Sequence, residues 1–366
     1  MQVRPFAALL PRLSMIEGPD AFFETLKETF PQFHPKGYFK AQPDPAFYLY
    51  QIEGSNSKAT GLIAAVPLEV YQEGRIHRHE RTIPVQERQQ QMLLAERGAA
   101  VKPVLLTYRK NHELNELLVK LSAGKPELTV EFPRSAETHR IWAVEDAASV
   151  KALQKACNQF IPEAFIADGH HRMACQVVNA SLHPGSKVAQ QVMCAFFSED
   201  QLSVFPFFRL VELGNFRTPD ILDQLGTFFT IRPIEHPAIP SQKGQLLFGI
   251  KQQWYRLEWQ QAVLHEYPKL LDVELLREKV WPLLLQTSDE RNDPRITYFE
   301  GVKGLDLLAE KLRQRPDLVA FCPPAVDVPT MMHIAGGGGI LPPKSTWFEP
   351  RMRNGLVIYP LESRLM

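Results

Sequence analysis

The residues with the clearest chemical potential lie in EAFIADGHHR, residues 163–172, where apolar or small residues lead into Asp168. This run predicts a strand that ends at Asp168, and the amphipathic residues after Arg172 predict a helix that begins near His170. The first turn of a helix leaves backbone N–H groups unpaired at the positive end of the helix dipole. The turn therefore predicts a site for phosphate or carboxylate.

The side chains of this turn fit the same interpretation. Gly169 allows close approach of the backbone to a ligand, while His170, His171 and Arg172 add donors. Arg172 can bind a phosphate through two parallel hydrogen bonds. The alternative is that Asp168 only caps the helix and that the histidines are solvated. Two histidines and an arginine in one helical turn have little structural justification, so we favour the ligand site.

A second stretch, GRIHRHERT at residues 74–82, contains two histidines and a glutamate. In an extended chain, His77 and His79 point to one side and Glu80 to the other. With a helix following, Glu80 lies near its start, where a carboxylate can act as a general base. The alternative is an exposed connector whose charges are solvated. From the residues alone, the solvated connector is the favoured interpretation.

A third stretch, GGGGILPPKSTWFEP at residues 336–350, resembles a phosphate-binding loop only in part. It fails the GxxxxGK[ST] pattern because Pro343 precedes the lysine where glycine is required. Lys344, Ser345 and Thr346 can still offer a cation and two hydroxyls to an anion. The alternative is a connector that leads into a final strand, GLVIYPL.

Two further sets of polar residues carry less weight. TSDERNDPRITYFEG, residues 287–301, is predicted to be a solvated loop. Metal-compatible donors are His77, His79, Asp168, His170 and His171, but their spacings match no zinc signature and HExxH is absent. The sequence alone therefore favours no metal site, apart from Mg²⁺ at Asp168 if a nucleotide binds.

The elements around these stretches alternate between strands and helices, which predicts a mixed α/β fold. Helices are expected over 19–30, 85–101, 112–124 and 147–160, and strands over 46–54, 59–71, 102–109 and 163–168. After about residue 212 the pattern predicts an α+β lobe that includes an antiparallel pair. We divide the chain into 1–212 as the ligand-binding domain, 213–330 as that lobe, and 331–366 as a C-terminal segment that returns PPKST to the site.

Composition excludes several classes of protein. The 41 basic and 41 acidic residues cancel, and no helix-turn-helix is recognisable, so nucleic acid is not the expected partner. MQVRPFAALLPRL, interrupted by Pro5 and Pro11, does not predict a signal peptide, and no stretch reaches the roughly 18 apolar residues of a membrane span. The four cysteines form no CxxC pair and are expected to be buried in a reducing cytoplasm.

The order of these motifs resembles one bacterial and archaeal family, the domain of unknown function one-thousand-and-fifteen, whose members are sometimes labelled SpoOJ/ParB-like. GRIHRHERT, ADGHHR, SDERNDPRITY and PPKST occur in this order over nearly the whole chain. Where members typically carry a PYD stretch, this sequence reads LLPRLSMIEGPDAFF. VFPFFRL keeps Arg209, which we add to the ligand-binding candidates.

A more distant resemblance is to the ParB/sulfiredoxin-like superfamily, especially its free-serine kinases. It implies a ParB/sulfiredoxin-like core, ATP or ADP with Mg²⁺, phosphates at Asp168–Arg172, and Glu80 beside His79 as the base on a substrate hydroxyl. On this resemblance, Glu80, His79 and Asp168 are the candidate catalytic residues. The function expected is phosphoryl transfer from a nucleotide to a small hydroxylated metabolite. Two alternatives stay open: a ParB-like nucleotide-binding module without turnover, and a metal-dependent hydrolase or isomerase that uses the histidine and acid cluster.

Overall fold

The structure is a computed structural model that describes residues 1–55, 57–82, 84–214, 216–361 and 365. The chain forms two compact units. The first unit consists of Met1–Ser203, Met332–Ile340 and Pro350–Met366, and the second consists of Val204–Met331 and Leu341–Glu349.

The regular elements alternate along the chain. The helices are α1 (Pro19–Phe33), α2 (Leu68–Gln72), α3 (Pro84–Arg97), α4 (His112–Leu121), α5 (Ala147–Phe160), α6 (His170–Leu182), α7 (Thr218–Leu225), α8 (Gln261–Glu266), α9 (Asp272–Leu275), α10 (Trp281–Leu285), α11 (Leu305–Gln314) and α12 (Val328–Gly336). The strands are β1 (Leu9–Pro11), β2 (Phe39–Ala41), β3 (Phe47–Glu53), β4 (Lys58–Pro67), β5 (Ile76–His77), β6 (Ala99–Ala100), β7 (Val104–Tyr108), β8 (Leu128–Phe132), β9 (Glu137–Val144), β10 (Ala164–Asp168), β11 (Gln191–Ser198), β12 (Ser203–Phe205), β13 (Phe207–Glu212), β14 (Phe229–Ile234), β15 (Gln245–Ile250), β16 (Gln253–Trp259), β17 (Ile296–Glu300), β18 (Leu318–Cys322), β19 (Trp347–Glu349) and β20 (Tyr359–Pro360). Shorter 3₁₀ turns are Leu13–Met15, His34–Lys36, Glu199–Gln201 and Gly301–Lys303, and a π-helical turn is Leu276–Val280.

An eight-stranded mixed sheet forms the centre of the first unit, in the order β5-β10-β7-β11-β4-β3-β9-β8. β10 runs parallel to β5 and β11 runs parallel to β7, whereas the other neighbours are antiparallel. In β4, Ala59–Pro67 are all buried. Such a continuous apolar run is typical of a strand covered on both faces. The mixed α/β class predicted from the sequence is therefore confirmed.

Local sequence explains how the helices of this unit begin and pack. Asp146 precedes α5, and its carboxylate accepts a hydrogen bond from the Ser149 backbone N–H at 2.8 Å. Such a cap satisfies one of the unpaired donors in the first turn. Leu153, Ala156 and Cys157 form the buried face at helical spacing. The helix predicted over 147–160 is confirmed.

The second unit is built on a six-stranded antiparallel sheet in the order β14-β16-β15-β18-β13-β17. Successive residues of its strands face opposite sides, as the pleat requires. Leu246 and Phe248 belong to one hydrophobic cluster, while Leu247 belongs to another. The antiparallel pair expected in this lobe is β15 with β16.

Two local predictions were wrong. The strand expected over 59–71 ends at Pro67, and the next residues form α2. A short apolar run does not distinguish a strand from a buried helical turn, so the pattern gave no warning. The polar segment 287–301 is not wholly solvated, because Glu290 within it is 2% exposed.

Two expectations from composition concern burial and membranes. All four cysteines are buried and unlinked, as expected. Among the described residues, no helix has both the length and the apolar character that crossing a membrane requires.

Candidate functional site

The turn after β10 brings Asp168 and Arg172 together. Arg172 Nη2 donates to Asp168 Oδ2 at 2.8 Å, and the first residue of α6 is His170. Gly169, between Asp168 and His170, has a φ of 107°, a backbone conformation that residues with a side chain rarely adopt. A Cβ at this position would lie 2.7 Å from Arg172 Nη2. The glycine is therefore required for the guanidinium to fold back across the turn.

The direction of the strands places further residues at this edge of the sheet. Asp168, at the end of β10, lies opposite Leu105 near the start of antiparallel β7. The residues just before β7 are therefore at the same edge, and Lys102 is one of them. β11 runs parallel to β7 with Cys194 opposite Val104, so Met193 is also there.

A cavity of about 580 Å³ opens beside this edge within the first unit. Its walls come from α1, α3, α6, the start of β7, the β8–β9 turn and the C-terminal segment. Two carboxylates line it, those of Asp20 and Glu24. The lining cations are more numerous: Lys27, Arg97, Lys102, Arg134, Arg172, Arg351 and Arg353. The volume is within the range of small-ligand sites, and the charge favours an anion.

Backbone contacts bring the C-terminal segment to the cavity. The Gly355 N–H donates to the Val101 carbonyl at 2.6 Å, and the Arg353 N–H donates to the Tyr50 hydroxyl at 3.2 Å. Arg353 Nη2 also donates to Glu137 Oε2 at 2.6 Å. Glu137 therefore compensates the charge of Arg353 and leaves other cations to dominate the cavity.

In the part of the chain that the structure describes, neither Lys102 nor Arg97 has a carboxylate hydrogen-bonded to it. Among the described residues, Lys102 has no hydrogen-bond or ion-pair partner. Burial, opposed by Asp168 and reinforced by Arg172, Arg351 and Arg353, lowers the pKa of Lys102 to about 8. Arg97 is 7% exposed and donates only to the carbonyls of Leu93 and Lys27. An anion in the cavity would compensate both charges.

Asp168 is held as a carboxylate. Burial alone would raise its pKa, but Arg172, Lys102 and Arg351 together keep that pKa well below its usual range. The Asp168 carboxylate thus orients Arg172. A magnesium ion bound to Asp168 would share this carboxylate with the Arg172 guanidinium.

His79, Glu80 and His170 form a separate cluster beside the turn. One ligand atom from each lies within 4.8 Å of those of the other two. The two imidazoles pack edge to face with their centroids 4.5 Å apart. Burial lowers the pKa of His79 to about 4 and that of His170 well below its usual range. Both imidazoles are therefore neutral at pH 7.

His77 does not join this cluster. The chain leaves β5 at His77, whose ring stacks on Phe165 and whose Nε2 lies 2.9 Å from Glu163 Oε2. His171 lies in the first turn of α6, half-buried. The structure thus brings together Glu80, His79 and His170, and separately Asp168, Gly169 and Arg172.

The remaining candidates belong to the second unit. The Lys344 Nζ lies 5.4 Å from the centroid of the Phe207 ring, and the Ser345 hydroxyl donates to the Pro342 carbonyl at 2.8 Å. Thr346, the next residue, belongs to the same unit. Whether PPKST reaches the cavity stays a prediction. Two cations after residue 349 do line the cavity, Arg351 and Arg353, and neither was among the candidates predicted from the sequence.

Arg209, also in the second unit, is fully buried. Its Nε donates to Glu290 Oε1 at 2.9 Å, and Nη1 and Nη2 donate to the carbonyls of Phe207 and Pro343 at 2.9 and 3.3 Å. Trp281 Nε1 donates to the other oxygen of Glu290 at 3.3 Å. Each of the three guanidinium nitrogens therefore donates to a group within the same unit, as is typical of a structural arginine.

We expect Arg209→Ala to lower the free energy of unfolding by about 3–5 kcal/mol, because it leaves the Glu290 carboxylate buried without a cation. Urea unfolding, monitored by tryptophan fluorescence, measures this change in the free energy of unfolding. Trp281 lies beside the Arg209–Glu290 pair and reports on it. The matched control is Arg217→Ala, whose solvent-exposed pair with Asp220 should contribute little to the free energy of unfolding. Equal losses in both variants would contradict the structural role of Arg209.

The fold and the site define a class: a mixed α/β protein in which a strand-to-helix turn supplies an arginine to a cationic cavity. The family model described as protein of unknown function (DUF1015) matches residues 10–281. The chain belongs to this family, which confirms the resemblance; the matched range includes ADGHHR and ends before PPKST. No curated protein gives a significant match.

Several solved structures are similar to this chain. SbnI from Staphylococcus aureus, truncated at its C-terminus, is 12% identical with a TM-score of 0.47, covering 82% of this chain and 87% of SbnI. Free serine kinase in complex with AMP is 15% identical with a TM-score of 0.39, covering 80% and 92%. A variant of free serine kinase in complex with ADP is 15% identical with a TM-score of 0.40 and the same coverage. At these identities the likeness is limited to the fold.

Proposed function

We propose that the protein binds a nucleotide with its phosphates in the cationic cavity and transfers a phosphoryl group to a hydroxyl of a small metabolite. The observation that carries the proposal is the cavity itself. It combines the Arg172 guanidinium, oriented by Asp168, with the Lys102 ammonium, which has no partner among the described residues. Phosphoryl transfer depends mainly on positioning and on neutralising phosphate charge, and these residues supply both.

In the proposed reaction the acceptor hydroxyl attacks the terminal phosphorus of the nucleotide. The bond between that phosphorus and the bridging oxygen breaks. For ATP, the leaving nucleoside diphosphate keeps the electron pair on that oxygen. Glu80 does not line the cavity but lies with His170 beside the turn after β10, so the acceptor hydroxyl would lie between the cavity and that turn, where Glu80 takes its proton. Arg172, Lys102 and the amides at the start of α6 stabilise the charge that develops on the phosphate oxygens. Magnesium, when it accompanies the nucleotide, neutralises part of the same charge.

Thermal unfolding in the presence of ATP, ADP, AMP and inorganic phosphate tests the binding step. A ligand specific for the folded state raises the melting temperature by mass action. We expect ATP and ADP to stabilise the protein more than AMP, because the cations of the cavity contact the outer phosphates. Incubation with ATP and a set of hydroxylated metabolites then tests transfer. No stabilisation by any nucleotide would reject the proposal, and stabilisation without turnover would favour a binding module.

Lys102 gives the site a pH dependence whose sign follows from its charge. Phosphate binds the ammonium form, so affinity for ADP should be highest below the pKa of about 8 and should fall as the pH rises through it. The groups that face Lys102 are the Asp168 carboxylate and the guanidinium groups of Arg172, Arg351 and Arg353. We expect Lys102→Met to weaken ADP binding about 10-fold at pH 7. Calorimetry from pH 6.5 to 9.5 measures both effects.

Lys102→Arg is the control for this titration. Arginine keeps its charge at all these pH values, so this variant should bind ADP with little pH dependence. A pH profile in Lys102→Arg as steep as in the wild type would show that another group titrates.

A further inference from the structure

We propose that His79, Glu80 and His170 form a binding site for a divalent transition-metal ion, with Zn²⁺ and Co²⁺ as the probes. The three residues come from two separate stretches of chain, and the fold brings one ligand atom of each within 4.8 Å of the others. In a tetrahedral zinc site with bonds of about 2.1 Å, ligand atoms lie roughly 3.4 Å apart. A modest inward movement of the side chains therefore completes the site.

The protonation of the cluster suits a metal. Both imidazoles are buried, His79 at 2% exposure and His170 at 8%, and burial disfavours their charged forms. A neutral imidazole keeps one nitrogen lone pair for a ligand, so a metal ion need not displace a proton from either ring. The backbone N–H of His79 lies 3.4 Å from His170 Nε2. A nitrogen that accepts this hydrogen bond carries no proton, and a metal ion bound to it would replace only a long contact.

The donor set selects the kind of ion. Two imidazole nitrogens and one carboxylate oxygen suit Zn²⁺, Co²⁺ or Fe²⁺, whereas Mg²⁺ and Ca²⁺ prefer oxygen ligands. This ion is therefore distinct from any magnesium that accompanies a nucleotide. The residues of the cluster do not line the cavity of about 580 Å³, so both can be filled at once.

A consequence for turnover rests on the proposed function. A carboxylate that is coordinated to a metal ion is a much weaker base, so Glu80 cannot at the same time bind Zn²⁺ and take a proton from the acceptor. Zn²⁺ at this site should inhibit phosphoryl transfer without displacing the nucleotide. Removal of the ion should restore the activity.

The test uses the full chain purified without an affinity tag and stripped of metal. Titration with Co²⁺ should give one equivalent with the visible absorption of a nitrogen- and oxygen-ligated ion, and Zn²⁺ should displace it. His170→Ala and Glu80→Gln should each weaken Zn²⁺ binding at least about 10-fold. The control His77→Ala removes a histidine outside the cluster and should leave the affinity unchanged.

The possible outcomes separate this proposal from the nucleotide proposal. No stoichiometric Co²⁺ spectrum, or equal loss of Zn²⁺ binding in His77→Ala and His170→Ala, would overturn the metal site whatever ADP binding shows. Stoichiometric metal binding that depends on His170 and Glu80 would support the metal site even if no nucleotide binds. In that case only the expected inhibition of phosphoryl transfer by Zn²⁺ would have to be abandoned.

Discussion

Arg172→Ala should lose nearly all nucleotide stabilisation, with affinity for ADP reduced about 100-fold to 1,000-fold. Two causes act together. The variant removes a guanidinium from the cavity, and it leaves the Asp168 carboxylate without its 2.8 Å partner, so that a less compensated negative charge lies beside the cavity. Truncation of one member of a partly buried charge pair in a binding site costs about 2–5 kcal/mol. Calorimetry with ADP at constant salt measures the loss.

The matched control is Arg134→Ala. Arg134 lines the same cavity, but its side chain is 70% exposed and its charge is shared with Glu24. Solvent screens such a charge, so we expect less than about a 5-fold effect on ADP binding. The ligand-free melting temperature of each variant shows whether the fold is retained. Equal ADP affinity in the wild type and in a folded Arg172→Ala variant would remove the phosphate assignment of the turn.

Glu80→Gln should retain ADP binding within about 2-fold and lose turnover by a factor of about 100 to 10,000. The amide keeps the size of the side chain but cannot accept the proton of the acceptor hydroxyl, and general-base catalysis contributes factors of this order. Turnover with saturating ATP and magnesium, after removal of transition metals, measures the loss. Removal matters because Zn²⁺ bound at Glu80 would mask the difference.

Glu87→Gln is the control for this second variant. Glu87 lies half-buried in the first turn of α3, close to Glu80 in sequence. Its substitution changes the local charge equally but should leave turnover unaltered. If Glu80→Gln were as active as Glu87→Gln, the base would have to be another residue.

Some features of this protein follow from local sequence. The helix at 147–160 is specified by a capping aspartate and an apolar face at helical spacing, both of which act within a few residues. The strand that ends at Asp168 and the helix after it follow from an apolar run and a glycine. The donors of this turn could be inferred because a helix start exposes its N–H groups whatever surrounds it.

Other features depend on residues far apart in the chain. Nothing near Lys102 in sequence indicates that Arg351 and Arg353 line the same cavity, because hydrogen bonds from Gly355 and Arg353 to distant partners bring them there. The alternation rule placed His77 and His79 on one side, but the chain bends after β5 and only His79 meets His170. The burial of Glu290 has the same origin, since its cation comes from β13.

The sequence by itself determined the α/β class, the family, most of the elements and the strand-to-helix turn at Asp168–Arg172. The tertiary structure decided which charges share a cavity, which histidine joins Glu80, and which arginine is internally bonded. The physical reason is the distance along the chain over which each interaction acts. Capping, periodicity and turn geometry act over a few residues, whereas burial and charge compensation depend on partners that only the folded chain brings within a few ångströms.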